Sequence, residues 1–187
     1  MTMISYSNLT ISNAEYRRTI NEYNKSEIKR SISNYMEKRV LREYSELSNK
    51  YINSYISVIY NEEINMLKIS IMNYSNDKMQ SYSFVIDKNY PFTPPAIYYN
   101  NKCYSSLLKM PSERFKDNLQ KITNKQCLCC QSFICKFNWG PAVTMNIIIS
   151  EIDRNRNYKR KVVITILIDQ IKEKYLIDDI DIVSYLM

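Results

Sequence analysis

Four cysteines crowd into nine positions of the chain, at Cys127, Cys129, Cys130 and Cys135. A thiolate is a strong nucleophile and a good ligand for soft metals, so such a cluster indicates covalent catalysis or metal binding. Free cysteine also packs as a small apolar residue, so at least two of the four could be inert and buried. The total of five cysteines is odd and unlike a secreted disulfide framework, and we expect reduced thiols in an intracellular, cytoplasmic or nuclear protein.

A zinc site would use these four cysteines as thiolate ligands. Natural structural zinc sites more often use two separated Cys-x-x-Cys pairs, and the adjacency of Cys129 and Cys130 makes tetrahedral closure harder. Zinc is therefore the minor alternative, and we expect neither a metal nor another cofactor.

A second feature is the proline-rich run Tyr90-Pro91-Phe92-Thr93-Pro94-Pro95. Each proline fixes its own φ and favours extended geometry in the residue before it, so this run predicts a rigid turn. Further along, Cys127-Leu128 is followed twelve positions after the cysteine by Trp139-Gly140-Pro141. Tryptophan and proline at such a place are packing residues, which would position the cysteine segment.

Together these motifs resemble the ubiquitin-conjugating enzyme family. Residues 84–99 match, without a gap, its strand, acidic residue, Tyr-Pro-Phe, Pro-Pro and further strand. Cys127-Leu128 and Trp139-Gly140-Pro141-Ala142-Val143-Thr144 resemble its active-site Cys-Leu and Trp-Ser-Pro-Ala-Leu-Thr, although the spacing is longer. The related non-catalytic RWD domain shares a looser Tyr-Pro pattern but generally lacks the second pair of motifs. The resemblance covers residues 36–187.

The resemblance implies an enzyme that carries ubiquitin as a cysteine thioester and passes it to a lysine amine, which is nucleophilic covalent catalysis. Cys127 is the implied nucleophile because it precedes leucine, and Cys129 and Cys130 are the next candidates. The implied partners are ubiquitin, the ubiquitin-activating enzyme, and a ubiquitin ligase or substrate protein. The activating enzyme would dock on the basic face of the first family helix, at Lys38, Arg39 and Arg42.

The sequence departs from the family upstream of the cysteine. Family members place His-Pro-Asn there, whereas this chain contains no histidine and no Pro-Asn pair in that region. Asn118 or Asn124, in the longer segment before Cys127, are the available substitutes for an oxyanion-stabilising donor. A non-catalytic adaptor of the same fold, which binds ubiquitin or another protein, is therefore the alternative to the enzyme.

Periodicity predicts the elements that position these motifs. Met36, Val40, Tyr44 and Leu47 share one face of an amphipathic helix. Alternating apolar residues then predict three strands, followed by a short fourth at residues 96–99. The alternating residues are Ile56, Val58, Tyr60, Leu67, Ile69, Ile71, Tyr82, Phe84 and Ile86.

The spacing of apolar residues predicts helices in the second half of the chain. We predict a turn or two of helix at residues 114–122, a helix after Pro141, another over residues 161–175, and a short last helix after Asp179. The basic stretch from Arg154 to Lys161 is interpreted as a solvated loop between two of these helices. Strands followed by helices indicate an α+β fold, here a ubiquitin-conjugating-type fold with an amino-terminal helix, an antiparallel four-stranded meander and carboxy-terminal helices.

Composition, net charge and the length of apolar runs limit the domain organisation and the classes of partner. We expect residues 1–35 to be a polar extension, a tail or a marginal helix, ahead of one domain at 36–187. The net charge of +7 allows acidic partners. Binding of nucleic acid usually needs aromatic residues among the basic ones, and Tyr158 is the only aromatic residue in the basic stretch, so we expect no nucleic-acid partner. The most apolar stretch, residues 162–168, is interrupted by Thr165 and is too short to span a bilayer, so no membrane association is expected.

Overall fold

The structure is a computed structural model that describes residues 13–31, 34–75 and 78–175. Within these residues, two helices come first, five strands follow, and three more helices come after the sheet. The elements are α1 (Asn13–Ser31), α2 (Asn34–Lys50), β1 (Tyr55–Asn61), β2 (Met66–Ser75), β3 (Lys78–Ile86), β4 (Ala96–Tyr99), β5 (Lys102–Cys103), α3 (Tyr104–Leu107), α4 (Glu113–Thr123) and α5 (Met145–Tyr175). The predicted α+β class is confirmed.

The five strands form one antiparallel sheet in chain order, β1-β2-β3-β4-β5. Val58, Ile69, Phe84 and Ile97 lie opposite one another across four strands, and all four are buried. This row lies on the core face, as the alternation of apolar residues predicts. The predicted four-stranded meander is therefore confirmed, with one more short strand at its end.

Strand β5 was not predicted, because two residues are too short to show any alternation. Asn100 and Asn101 join it to β4, and both have positive φ, 47° and 61°. A two-residue hairpin turn with positive φ at both positions is the type in which asparagine is favoured. The Asn-Asn pair is therefore the sequence signal that could have located this hairpin.

The two leading helices pack differently on the domain. Helix α2 buries Met36, Val40, Tyr44 and Leu47, which confirms the predicted amphipathic face. Helix α1 falls in the stretch predicted as a tail or a marginal helix, and it buries Ile28 and the polar Asn24. The domain boundary at residue 35 stays a prediction, although α1 contacts the rest of the fold.

The last helix corrects the prediction of two helices joined by a basic loop. Helix α5 is continuous over 31 residues, and the basic stretch from Arg154 to Lys161 lies inside it. Arginine and lysine are good helix formers, and no glycine or proline occurs after Pro141 to end the helix. The helix begins at Met145 rather than at Pro141. The predicted helix after Asp179 lies outside the described residues.

Helix α4 confirms the helical turns predicted at residues 114–122. The Ser112 side chain caps its start by accepting a hydrogen bond from the Phe115 N–H, and Asn124 ends it in the left-handed conformation. Among the described residues, no helix combines the length and the apolar character that crossing a membrane would require.

Candidate active site

The cysteines that follow α4 lie in an irregular segment, residues 124–144, which we call the cysteine loop. Short backbone turns order it, including the hydrogen bond from the Trp139 N–H to the Cys135 carbonyl at 2.9 Å. The Asn138 side-chain amide donates to the carbonyls of Cys130 and Ser132, at 2.7 and 3.0 Å. Leu128, beside the first cysteine, is buried in the core. The loop is thus anchored rather than extended into solvent.

A buried carboxylate on α5 fixes the middle of the cysteine loop. Glu151 is 1% exposed and accepts hydrogen bonds from the Tyr104 hydroxyl at 2.7 Å, the Ser132 hydroxyl at 2.5 Å and the Phe133 N–H at 2.8 Å. Asn155, one turn further along α5, donates to the same tyrosine hydroxyl at 2.8 Å. Burial and the neighbouring Glu151 raise the pKa of Tyr104, which therefore stays a hydrogen-bond donor.

The two motifs identified in the sequence meet in the structure. The Trp139 indole N–H donates to the Pro91 carbonyl at 2.8 Å, and the rings of Trp139 and Tyr90 lie 6.2 Å apart between centroids. The peptide bond between Tyr90 and Pro91 is cis. The proline-rich turn and the end of the cysteine loop therefore form one packed unit, although they lie almost fifty residues apart in the chain.

A second buried carboxylate ties this unit to α2. Glu43 accepts hydrogen bonds from the Tyr90 hydroxyl at 2.6 Å and from the Met145 N–H, the first residue of α5, at 2.7 Å. It also pairs with Arg39, whose guanidinium donates to the Val143 carbonyl at 3.0 Å. Burial and the nearby Glu43 raise the pKa of Tyr90, so this hydroxyl also stays protonated.

Three thiols converge at the start of the cysteine loop. The Cys129 thiol donates to the Cys127 sulfur at 3.5 Å, and the Cys130 backbone N–H donates to the same sulfur at 3.3 Å. The sulfurs of Cys129 and Cys130 are 3.8 Å apart. Cys127 is half-buried, whereas Cys129 and Cys130 are exposed. Cys127 is therefore the thiol at which two donors converge.

These contacts change the acidity of the thiols. Burial alone raises the pKa of Cys127, but the hydrogen bonds from Cys130 and Cys129 outweigh it and lower the pKa below its usual value. Hydrogen bonding to Cys127 raises the pKa of Cys130 to about 12. Of these two thiols, Cys127 is thus the one predisposed to ionise and to act as a nucleophile.

The two lysines that flank the three thiols in the chain lie over aromatic rings. The Lys125 ammonium lies 5.4 Å from the centroid of the Tyr158 ring, and that of Lys136 lies 5.1 Å from the Phe137 ring. The main groups that lower the pKa of Cys127 are the thiols and backbone N–H groups of Cys130 and Cys129. The lowered pKa of Cys127 therefore comes from hydrogen bonds within the group of three cysteines.

The remaining cysteines stand apart from this trio. Cys135 is half-buried, and its sulfur is not part of the group of three sulfurs that lie within 4.8 Å of one another. Cys103 is exposed at the end of β5, where its sulfur lies 3.1 Å from the Ser105 hydroxyl oxygen. That hydrogen bond lowers the pKa of Cys103. The four-cysteine cluster of the sequence thus becomes a cluster of three in space.

The predicted docking residues on α2 divide into two kinds. Lys38 and Arg42 are exposed, and Arg42 lies 3.9 Å from Glu46 in a surface ion pair. Arg39 faces inward, where it contacts Glu43 and Val143. A partner that binds this face would therefore meet Lys38 and Arg42 first.

The asparagines suggested as replacements for the family's asparagine have other partners. Asn118 is buried on α4, and its amide donates to the Arg114 carbonyl of the same helix at 2.9 Å. Asn124 is exposed and ends that helix. Within the part of the chain that the structure describes, no hydrogen bond joins either asparagine to Cys127.

In comparisons with known proteins, the chain matches no protein-family model, no curated protein and no solved structure.

Proposed function

We propose that the protein is a ubiquitin-conjugating enzyme that carries ubiquitin, or a similar protein modifier, on Cys127. The observation that supports this most directly is the Cys127 thiol itself. It is partly accessible, it accepts hydrogen bonds from Cys130 and Cys129, and it lies in a loop that Trp139 packs against the proline-rich turn. A nucleophile in a rigid setting is what acyl transfer requires.

The proposed reaction has two balanced steps. The Cys127 thiolate attacks the thioester carbonyl of ubiquitin on the activating enzyme, forming a new C–S bond while the activating enzyme's cysteine departs as a thiolate. A lysine amine of the substrate, or one presented by a ligase, then attacks the same carbonyl. The C–N bond forms, the C–S bond to Cys127 breaks, and the amine loses its proton as the thiol is regenerated.

The alternative function is a non-catalytic adaptor of the same fold that binds ubiquitin or another protein. It is favoured by one observation: Asn118 donates to the Arg114 carbonyl and Asn124 ends α4, and among the described residues no hydrogen bond joins either asparagine to Cys127. In both versions the protein acts in the cytoplasm or nucleus. In the enzyme version, Lys38, Arg39 and Arg42 of α2 are the proposed docking residues for the activating enzyme, and Lys38 and Arg42 are exposed.

A thioester assay separates the two functions. The protein is incubated with ubiquitin-activating enzyme, ATP and ubiquitin, and resolved on a gel without reducing agent. We expect a conjugate that reducing agent removes, and its loss in Cys127→Ser. The matched control is Cys135→Ser, a half-buried cysteine of the same loop that should keep the conjugate.

Other results would redirect the proposal. If wild-type protein forms no thioester, the enzyme proposal fails and the adaptor stands. If Cys127→Ser still forms one, the nucleophile is Cys129 or Cys130, and Cys129→Ser and Cys130→Ser identify which.

A further inference from the structure

Three sulfurs at the start of the cysteine loop have the arrangement of metal ligands. The sulfurs of Cys127, Cys129 and Cys130 all lie within 4.8 Å of one another, with Cys127 to Cys129 at 3.5 Å and Cys129 to Cys130 at 3.8 Å. A cation about 2.3 Å from each sulfur, the usual zinc–sulfur length, requires sulfurs about 3.8–4.0 Å apart. The sulfurs of Cys129 and Cys130 already have that separation, and those of Cys127 and Cys129 lie slightly closer together.

The donor set selects the class of cation. Thiolates prefer soft or borderline d¹⁰ ions, zinc and cuprous copper above all, over magnesium or calcium. No fourth His, Cys, Asp or Glu among the described residues joins the trio. The site therefore has three protein ligands and one open side. Zinc, which is usually four-coordinate, would add a water there, whereas cuprous copper would be complete with three thiolates.

Access and anchoring also suit a metal site. Cys129 and Cys130 are exposed, so an ion can arrive from solvent without opening the fold. Buried Leu128 fixes the backbone between the first two ligands, and Asn138 holds the Cys130 carbonyl at 2.7 Å. The ligand-bearing backbone is thus held in place before an ion binds.

From these contacts we infer that Cys127, Cys129 and Cys130 form a three-thiolate binding site for a thiophilic d¹⁰ cation. Each thiol that binds releases its proton to solvent, and the three thiolates donate electron pairs to the ion. The next step rests on the function proposed above, in which Cys127 carries the modifier. A bound ion then uses the sulfur lone pair with which Cys127 would attack the carbonyl. Metal and thioester then exclude each other.

The test is metal binding by the reduced, full-length protein under anaerobic conditions. Zinc ions and, separately, cuprous ions are titrated against a competing chromophoric chelator. We expect one ion per chain for at least one of the two metals. Cobalt(II) in place of zinc should show charge-transfer absorption from thiolate ligands. Comparing the affinities from the zinc and the cuprous titrations shows which cation the site prefers.

Cysteine variants locate the site. We expect Cys129→Ser and Cys130→Ser to lose about tenfold or more in affinity, the loss that removing even an outer-sphere partner of a metal can cause. Cys135→Ser and Cys103→Ser, whose sulfurs lie outside the trio, should bind as wild type does. Absence of stoichiometric binding, or binding that survives both Cys129→Ser and Cys130→Ser, would overturn the site.

The thioester assay keeps this inference distinct from the proposed function. If the wild-type protein binds metal but forms no thioester, the metal site is supported and the proposed enzyme activity fails. If it forms a thioester but binds no metal, the enzyme activity is supported and the metal site fails. When both are present, metal-loaded wild type should form thioester more slowly until a chelator is added, and an unchanged rate would contradict their mutual exclusion.

Discussion

Glu43 and Glu151 are the two buried carboxylates around which the candidate site is built. Glu43 joins α2, the proline-rich turn and the start of α5, whereas Glu151 joins α5 to Tyr104 and the cysteine loop. Each is 1% exposed and accepts several hydrogen bonds, the arrangement that makes a buried charge tolerable. The position of the reactive thiols therefore depends on residues that take no part in the proposed chemistry.

Replacing Glu151 with glutamine tests this dependence. Glutamine keeps the shape but has only one acceptor oxygen, so its amide group would face a donor among Tyr104, Ser132 and Phe133. We expect Glu151→Gln to lower the free energy of unfolding by about 1–3 kcal/mol, the cost of unsatisfied buried polar groups. Urea denaturation measures this loss, and amide exchange at Phe133 should accelerate.

The control for that prediction is Glu113→Gln. Glu113 is 83% exposed at the side chain, and its ion pair with Lys116 lies on the surface. Such pairs contribute little, so we expect a change within about 0.5 kcal/mol. Equal stability of Glu151→Gln and wild type would show that the carboxylate does not hold the loop.

Part of the candidate site could be predicted at the level of residues. Cys127, Cys129 and Cys130 are close in space because they are close in the chain, so their grouping followed from spacing alone. Cys135 did not join them, because the turns of the loop carry it away. The roles of Glu43 and Glu151 depend on partners that lie tens of residues away, such as Tyr104, and no local pattern encodes those pairs.

Among the elements, α5 differs most from expectation. Its buried positions Ile148, Ile152, Asn155 and Val162 continue one face through the basic stretch, which had been interpreted as a loop. Of the basic residues there, Arg154, Arg160 and Lys161 are exposed and Arg156 and Lys159 are half-buried, and the helix continues through all of them. A cluster of charges interrupts the apolar pattern but does not break a helix, because arginine and lysine are good helix formers.

A proline substitution distinguishes a helix from a loop at this point. Arg160 is exposed in the middle of α5, so proline there removes a backbone hydrogen bond and collides with the preceding turn. We expect Arg160→Pro to cost roughly 3 kcal/mol or more, and Arg160→Ala to cost less than about 0.5 kcal/mol. Urea denaturation followed by circular dichroism compares the two variants. Similar stabilities would indicate a loop.

The other elements were predicted to different degrees. Strands β1, β2 and β3 alternate over seven residues or more, which identifies them by pattern alone. Helix α2 shows an apolar repeat of the helical period. Helix α1 lacks such a repeat, because its main attachment is polar. Patterns of hydrophobicity therefore locate elements that bury apolar faces and miss those that dock through hydrogen bonds.

At the scale of the whole molecule, α1 closes one edge of the sheet. β1 is an edge strand, and unpaired edges expose backbone groups that invite association with other chains. The Asn24 side chain satisfies two of those groups: its amide donates to the Ile56 carbonyl at 3.0 Å, and its oxygen accepts from the Val58 N–H at 3.1 Å. The same amide also donates to the Tyr44 hydroxyl of α2. One side chain thus connects the first helix, the second helix and the sheet.

This connection predicts that α1 unfolds together with the rest of the domain rather than separately. Asn24→Ala leaves the Val58 N–H and the Ile56 carbonyl without partners, and each such group costs about 1–3 kcal/mol while it stays buried. We expect a loss of about 2 kcal/mol or more in urea denaturation, with faster hydrogen exchange at the Val58 amide. The matched control is Lys25→Ala, the exposed neighbour on the same helix, which should change stability by less than about 0.5 kcal/mol. If instead Asn24→Ala left both stability and exchange at Val58 unchanged, α1 would be a separable extension, and the domain would begin at α2.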